Sequence, residues 1–325
     1  MYSVKKMIAA LMCICLICGM TGCMAIEEIP MEYDGLSHVY GLVSEELQDV
    51  KADYFAEDLC VTEGDVNNEA GNDYSALSSA VFDITGKEVI FADNVYERLD
   101  PASTTKIMTA IVALKHGDLS DTVTVSSNAL NLEAGSSVCN LKSGDKLTLE
   151  QCLYGLITKS GNDAANAIAE HISGNNDAFA ELMNREAKAL GAVDTHFVNP
   201  SGLHDEDHYT TAYDLYIMFA EAMKYDAFMD MLRVKKYSTA YTNASGERIN
   251  ANWETTNQYL TGVTDEPETI TVIGGKTGTT MAAGSCLILL SENGEGEQSV
   301  SIVMKSDTRT TLYNEMTELL LKTVK

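Results

Sequence analysis

The 325-residue sequence predicts an α+β domain, and three observations carry that reading. A short β-rich hairpin stands near residue 80, three further β-rich runs lie between 269 and 304, and the stretch between them is dominated by apolar runs with helical spacing. Strands at both ends around a helical middle place the two ends side by side in one sheet, with helices packed on it.

Ala76–Asp83 alternates loosely and is rich in β-formers, Thr85-Gly86 supplies a turn, and Glu88–Ala92 returns as the second strand. The run IMTAIVALK, Ile107–Lys115, ends at His116-Gly117, and its apolar residues cover nearly the whole helical circumference, which predicts a helix buried on all sides. Thr148–Ile157 and Asp163–Ser173 read as two helices flanking a short connection, Ala178–Leu190 as another stopped by Gly191, and Thr211–Met223 as a further one. Thr269–Ile273, Ser285–Ser291 and Ser299–Met304 read as strands, the last two joined by the acidic turn ENGEGE, and Thr310–Lys322 closes the chain as an amphipathic helix.

The start of the chain reads differently. Lys5 and Lys6 precede an uncharged apolar run from Met7 to Gly22, shorter than the roughly 20 residues a spanning helix needs, so residues 1–22 are expected to be a signal peptide. That run ends in Met20-Thr21-Gly22-Cys23, which resembles a bacterial lipobox with Cys23 as the lipidated residue, although methionine is an unusual first residue for it. Residues 24–74 hold fourteen acids against one base, Lys51, and several turn-formers, so 23–74 is expected to be a solvated tether, with a weak amphipathic helix around Ser44–Cys60. Residues 75–325 are expected to form one folded domain, long enough for a large core.

Formal charge is −26, and losing Lys5 and Lys6 with the leader makes it −28, a balance that argues against nucleic acid and against electrostatic docking to anionic lipid. Of eight cysteines, Cys13, Cys15, Cys18 and Cys23 fall in or next to the leader. Cys60, Cys139, Cys152 and Cys286 show neither C-x-x-C nor Cys/His metal spacing and are expected to be buried free thiols, a Cys139–Cys152 bridge being the alternative. The histidines show no H-E-x-x-H spacing, and His204 and His208 sit in a loop, GLHDEDH, so no metal site and no cofactor are expected.

Three strings carry the chemistry: PASTTK at 101–106, SGN at 160–162 and KTG at 276–278. Together they supply what a serine acyl-transfer site needs when lysine rather than histidine is the base. Ser103 opens the buried helix, where unpaired N–H groups favour negative charge, and Lys106 stands one turn on, where burial and a nearby Lys276 would lower its pKa. Ser160 can relay a proton and Asn162 can hold substrate and Lys106, while Lys276 and Thr277 offer a cation and a hydroxyl to a carboxylate. Gly278 would let a peptide approach the strand edge, and the backbone N–H groups of Ser103 and Thr279 would form an oxyanion hole. Each string alone has a plainer explanation: an N-cap and a surface lysine, a helix cap, a strand-end turn. S-x-x-K recurs at Ser3 and Ser143, and S-x-N at Ser126 and Ser173, so order and surroundings carry the weight.

With GSSVCNLKSGDKLTLEQCLYGLITKSGNDAANAIAEHISG at 135–174, MNREAKALGAVDTHFVNPSGL at 183–203, HYTTAYDL at 208–215 and GGKTGTTMAAGSC at 274–286, the chain resembles the D-alanyl-D-alanine carboxypeptidase family of low-molecular-mass penicillin-binding proteins. The resemblance runs from about Ser75 to Glu318. It implies a serine β-lactamase/penicillin-binding-protein-like fold, an antiparallel sheet covered by helices plus an all-helical lobe. It also implies Ser103 as acylated nucleophile, Lys106 as its base, Ser160 and Asn162 as second element and Lys276 to Gly278 as third. The implied partners are peptidoglycan stem peptides as substrate and β-lactams as covalent inhibitors, at an extracytoplasmic location with membrane contact only through the lipid anchor. Three departures stand out: the chain ends soon after this domain, without the β-rich C-terminal domain and anchor helix of many relatives; Thr279 stands where some carry histidine; and Arg309 is only loosely placed to match a basic residue near the substrate carboxylate. A DD-endopeptidase shares every motif, a non-catalytic wall or β-lactam sensor is the alternative from another class, and NPSGLHDED does not resemble the loop a class A β-lactamase uses, although Asp205, Glu206 and Asp207 leave that option open.

Overall fold

The computed structural model describes residues 58–67 and 74–324. The expected leader 1–22, lipidated Cys23 and most of the acidic tether, including the expected helix up to residue 57, lie outside the described residues.

The sheet expected from the two ends of the chain is present. Strands β1 (Ser78–Asp83) and β2 (Glu88–Asp93) form the hairpin. β1 also pairs antiparallel with the last strand, β9 (Gln298–Ser306), Ser78 lying opposite Met304 and Asp83 opposite Ser299. With β8 (Gly284–Asn293) and β7 (Ile270–Thr280) the order is β2-β1-β9-β8-β7, antiparallel throughout. Every residue of β1 is buried, which explains its loose alternation: successive side chains feed two different cores. Ala80, Phe82, Ile288 and Ile302 join the core under the central helices, whereas Val81, Leu287, Leu289 and Val303 pack with Leu312, Met316 and Leu319 of the last helix, α8 (Arg309–Leu321).

On the other side lies the helical part, arranged around α1 (Lys106–His116). Lys106 to Ala113 are buried without interruption, so this helix is enclosed on all sides as its composition predicts. Burying a side chain such as Ile107, Met108 or Ile111 contributes about 1.5–3 kcal/mol, which makes α1 the natural centre of the lobe. It packs against α2 (Leu149–Ile157), α3 (Asn162–Ser173), α4 (Asn176–Ala189) and α5 (Ala212–Ala222). A capping box at Thr148 and Gln151 starts α2, and Asn175 caps α4. Among the described residues the four cysteines, Cys60, Cys139, Cys152 and Cys286, are buried free thiols.

Three differences from the sequence reading concern function. First, the tether ends before 74: Cys60 is fully buried, its N–H donates to Tyr216 Oη at 2.9 Å, its carbonyl accepts from Tyr213 Oη at 3.0 Å, and Val66 bridges to Ala92. The acids that disguise 58–67 as tether face outward, Asp58 pairing with Lys87. Second, the sequence reading lacks a sheet in the order β3 (Thr122–Thr124), β4 (Lys146–Thr148), β5 (Lys236–Thr242), β6 (Arg248–Glu254), because KYSTAYT and RINANWE carry polar residues on their outer face, and it lacks α6 (Asp226–Arg233) and the short α7 (Gln258–Thr261). The alternation and the Asn243–Gly246 turn between them were the available signal. Third, KTG does not follow its strand; it lies inside β7, at the sheet edge.

Tyr216 stacks on Phe82 with ring centroids 4.0 Å apart and holds the Cys60 N–H. Tyr216→Phe keeps the stack and leaves a buried donor unpaired, so urea unfolding is expected to show a loss of about 1–3 kcal/mol; no loss would mean that 58–67 is not part of the fold.

Candidate active site

The chain enters the site through a single 3-10 turn, Ala102–Thr105, which leads directly into α1. Ala102 has φ +46°, a left-handed backbone that a residue with a Cβ adopts only when its surroundings impose it. Asp100 imposes it in part, its Oδ1 accepting the Ala102 N–H at 2.8 Å, while Pro101 O accepts from the Thr104 hydroxyl at 2.7 Å. The result is Ser103 half-buried at the mouth of the helix and Lys106 fully buried on its first residue.

The Lys106 amine lies 2.9 Å from Ser103 Oγ, 2.8 Å from Asn162 Oδ1 and 2.5 Å from the Ser201 carbonyl oxygen. Burial holds its pKa well below the ordinary lysine range, and the charge of Lys276 pushes it further down, against smaller opposing effects from Cys139 and Asp163. A neutral amine has two N–H groups and one lone pair. Asn162 and Ser201 are carbonyl acceptors and can take the two N–H groups of the neutral form, which would leave its lone pair for the Ser103 hydroxyl.

Ser160 also has a left-handed backbone, φ +59°, in the connection between α2 and α3. It is buried, and its Oγ accepts from Lys276 Nζ at 2.9 Å, while the same ammonium donates to Thr277 O at 2.8 Å. Burial brings the Lys276 pKa down to about 7. Gly161 is a steric requirement: a Cβ there would stand 2.4 Å from Cys139 Sγ and 2.8 Å from Asp163 Oδ1. Asn162 begins α3, and its N–H donates to Ser137 O at 2.8 Å.

Gly278 has an analogous reason. A Cβ on it would meet Pro101 O at 2.9 Å and Ser103 N at 3.0 Å, so the close approach it permits in this structure is that of the nucleophile turn to β7. Thr277 sends its hydroxyl to within 2.5 Å of Thr256 Oγ1, whereas Thr279 is exposed on the cleft wall. The cleft is about 620 Å³ and is lined by Ser103, Asn162, Ser201, Leu203, Thr279 and Met281 among others. Lys106, Ser160 and Lys276 are buried behind that lining, and Arg309 is exposed at the start of α8, away from it.

Several residues have parts in the site that the sequence does not reveal. Asp163 is buried and ties Cys139 N–H (2.8 Å) and Leu141 N–H (3.0 Å) to the start of α3. His208 accepts the Val198 N–H on Nδ1 at 3.0 Å, so its Nε2 carries the proton and donates to Thr105 Oγ1 at 2.8 Å. Burial lowers its pKa to about 4, keeping the ring neutral. The spacing in NPSGLHDEDH shows a loop, not that its carbonyl at Ser201 reaches Lys106; that contact depends on tertiary packing.

Residues 65–308 match the family described as D-alanyl-D-alanine carboxypeptidase. The chain belongs to that family. It is 32% identical over 257 residues to D-alanyl-D-alanine carboxypeptidase DacF of Bacillus subtilis, covering 76% of this chain and 61% of that protein. To DacC of Escherichia coli it is 32% identical over 249 residues, covering 74% and 59%. It thus spans about six-tenths of the length of these curated relatives. Among solved structures, the Streptomyces DD-transpeptidase superposes with a TM-score of 0.70 at 27% identity, covering 77% of this chain and 97% of that one. A Mycobacterium tuberculosis D-alanyl-D-alanine carboxypeptidase superposes at 0.65 and 29%, covering 78% and 95%. The expected penicillin-binding-protein-like α+β fold is therefore the observed one.

The buried lysines make stability depend on pH in a definite direction. Lys276 has a folded pKa near 7 against 10.5 for a free lysine, so between those values the unfolded chain binds more protons and stability rises with pH, its cost being greatest below about 7. Denaturant unfolding is expected to show the parent gaining about 2 kcal/mol more than Lys276→Met between pH 7 and 9. Equal pH slopes for the two proteins would contradict the assignment.

Proposed function

We propose that this chain is a serine D-alanyl-D-alanine carboxypeptidase that removes the terminal D-alanine from peptidoglycan stem peptides through an acyl-enzyme on Ser103. The observation that carries the reading is the depressed, buried Lys106 amine 2.9 Å from Ser103 Oγ, at the floor of an open cleft. Neutral Lys106 takes the Ser103 proton as Oγ bonds to the penultimate residue's carbonyl carbon. The backbone N–H groups of Ser103 and Thr279 receive the developing oxyanion, each such donor being worth about 3–4 kcal/mol when removed. The C–N bond then breaks, and the proton on Lys106 reaches the departing D-alanine nitrogen through the Ser160 hydroxyl, which Lys276 orients. A water repeats the sequence on the ester, freeing Ser103. Asn162 and the edge of β7 align the peptide, with Thr279 facing the terminal carboxylate and Thr277, through Thr256, holding the strand there.

β-Lactams present a strained amide to the same serine and would acylate it. Asp205, Glu206 and Asp207 are exposed and do not line the cleft, which favours a long-lived acyl-enzyme over β-lactamase turnover. Work outside the cytoplasmic membrane on the cell wall, with anchoring through lipidated Cys23, is part of the proposal and rests on the leader and lipobox. Among the described residues no helix is long and apolar enough to cross a membrane.

Residues 24–325 are expected to release D-alanine from a pentapeptide ending in D-Ala-D-Ala and to take up penicillin stoichiometrically. Ser103→Ala should abolish both, and Lys106→Met should lower kcat/KM about 10²–10⁴-fold. Stoichiometric labelling without D-alanine release would replace the carboxypeptidase reading by endopeptidase or sensor, and rapid penicillin turnover by β-lactamase. Labelling that survives Ser103→Ala would remove the nucleophile assignment.

A further inference from the structure

The loop 199–210 is fastened to the Ser103 turn and to α1 behind it. Leu99 and Thr210 exchange both backbone hydrogen bonds, at 2.8 and 2.9 Å, and the Thr109 hydroxyl donates to Pro200 O at 2.6 Å. Between these points Gly202, with φ +82°, comes so close that a Cβ there would stand 1.8 Å from Ala102 O and 2.8 Å from Thr105 Oγ1. Backbone meets backbone at the strained residue itself.

Two histidines of this loop, four residues apart, reach opposite flanks of the turn. The His204 Nδ1–H donates to Asp100 Oδ2 at 2.7 Å, three residues before Ser103. The His208 Nε2–H donates to Thr105 Oγ1 at 2.8 Å, two residues after it. No group of histidines, cysteines and carboxylates among the described residues is placed to hold a metal ion. The spacing of the two rings therefore serves the turn and not a metal.

Asp100 passes the His204 contact on. Its other oxygen, Oδ1, accepts the Ala102 N–H at 2.8 Å, and Ala102, at φ +46°, is the residue whose peptide leads into Ser103. A carboxylate held at one oxygen can still rotate and turn that oxygen to water; held at both, its plane is fixed. The Asp100 side chain is only 10% exposed, whereas His204 is half-exposed and lines the cleft. Asp100 thus links a ring on the cleft wall to the backbone that aims Ser103.

We propose that His204 is a positioning residue for Ser103: by donating to Asp100 it fixes the carboxylate that holds Ala102 in its left-handed backbone, and so sets the angle at which Ser103 meets a carbonyl carbon. The role rests on the proposed acyl-enzyme at Ser103 and not on which amide forms it. Misplacing a reacting group costs rate, about 10²-fold for about 1 Å, without a matching loss of binding. The loop keeps its fastenings at Thr210, Pro200 and His208 when residue 204 is changed, so the fold survives the substitution.

Acylation by a fluorescent penicillin, followed against its concentration, separates the dissociation constant of the first complex from the first-order acylation rate. His204→Ala is expected to lower the acylation rate about 5–20-fold and to leave the dissociation constant unchanged. His204→Asn places an amide N–H where the Nδ1–H stood and should recover most of the rate. His204→Gln, whose amide nitrogen falls near the position of Nε2, should not. Asp100→Ala should lose at least as much as His204→Ala, and the double variant no more than Asp100→Ala alone, since the ring acts through the carboxylate. A His204→Ala protein as fast as the parent, a loss confined to the dissociation constant, or losses that multiply in the double variant overturns the role and leaves the acyl-enzyme reading intact. A parent that takes up no penicillin removes both.

Discussion

The neutrality of one buried amine is the constraint on which this structure is organised. A lysine sealed from water is costly as an ammonium, and the fold lowers the cost by shifting Lys106 toward its neutral form. That solution works only if both N–H groups and the lone pair have defined destinations. The three destinations come from three separate pieces of chain: the 3-10 turn with Ser103, the first residue of α3 with Asn162, and the loop carrying Ser201. Each piece is held by its own network. Asn199 Oδ1 gathers the N–H groups of Ser201, Gly202 and Leu203, and His208 ties the same loop to Thr105, the neighbour of Lys106. The geometry around the amine is thus a property of the whole lobe.

The sheet contributes the opposite wall under a different constraint, close approach. β7 is an edge strand, and the turn Pro101–Ser103 rests against it at Gly278. Gly161 plays the equivalent part on the helical side, where Cys139 leaves no space for a Cβ. Between the two contacts stand two non-glycine residues with left-handed backbones, Ala102 beside Ser103 and Ser160 beside the Lys276 amine. Strain of this kind, about 1–3 kcal/mol per residue, persists where surroundings overdetermine it. Here the surroundings are Asp100 below Ala102 and the Lys276 amine on Ser160.

What the sequence made legible followed from how local each signal was. The hairpin, the fully apolar α1 and the helices starting near Thr148 and Thr211 are determined within a dozen residues, and all are present. The three strings pointed to Ser103, Lys106, Ser160, Asn162 and Lys276, and the fold does bring these together. Thr277 and Gly278 read as substrate contacts from the strand edge; their neighbours within the fold, Thr256 and Pro101 to Ser103, are distant in sequence and leave no local trace. The parts played by Asp163, His208 and the Ser201 carbonyl leave no local trace for the same reason, since an aspartate in the first turn of a helix or a histidine in an acidic loop has many ordinary explanations. The second sheet escaped because its outward face is polar, and the segment 58–67 because its composition is acidic although its one buried residue, Cys60, is apolar.

Two buried lysines so near each other also constrain when the site is competent. Like charges in a shared low-dielectric pocket cannot both be held cheaply, and the proton goes first to the site that tolerates it better. Lys276, with a pKa near 7, has acceptors at Ser160 Oγ and Thr277 O. A proton on Lys276 raises the cost of one on Lys106 and adds to the burial that lowers its pKa. The two lysines therefore differ electrostatically, Lys106 depressed beside Ser103 and Lys276 hydrogen-bonded to Ser160 and Thr277 O. This explains why the third string must contribute a lysine from the sheet, although its amine does not line the cleft.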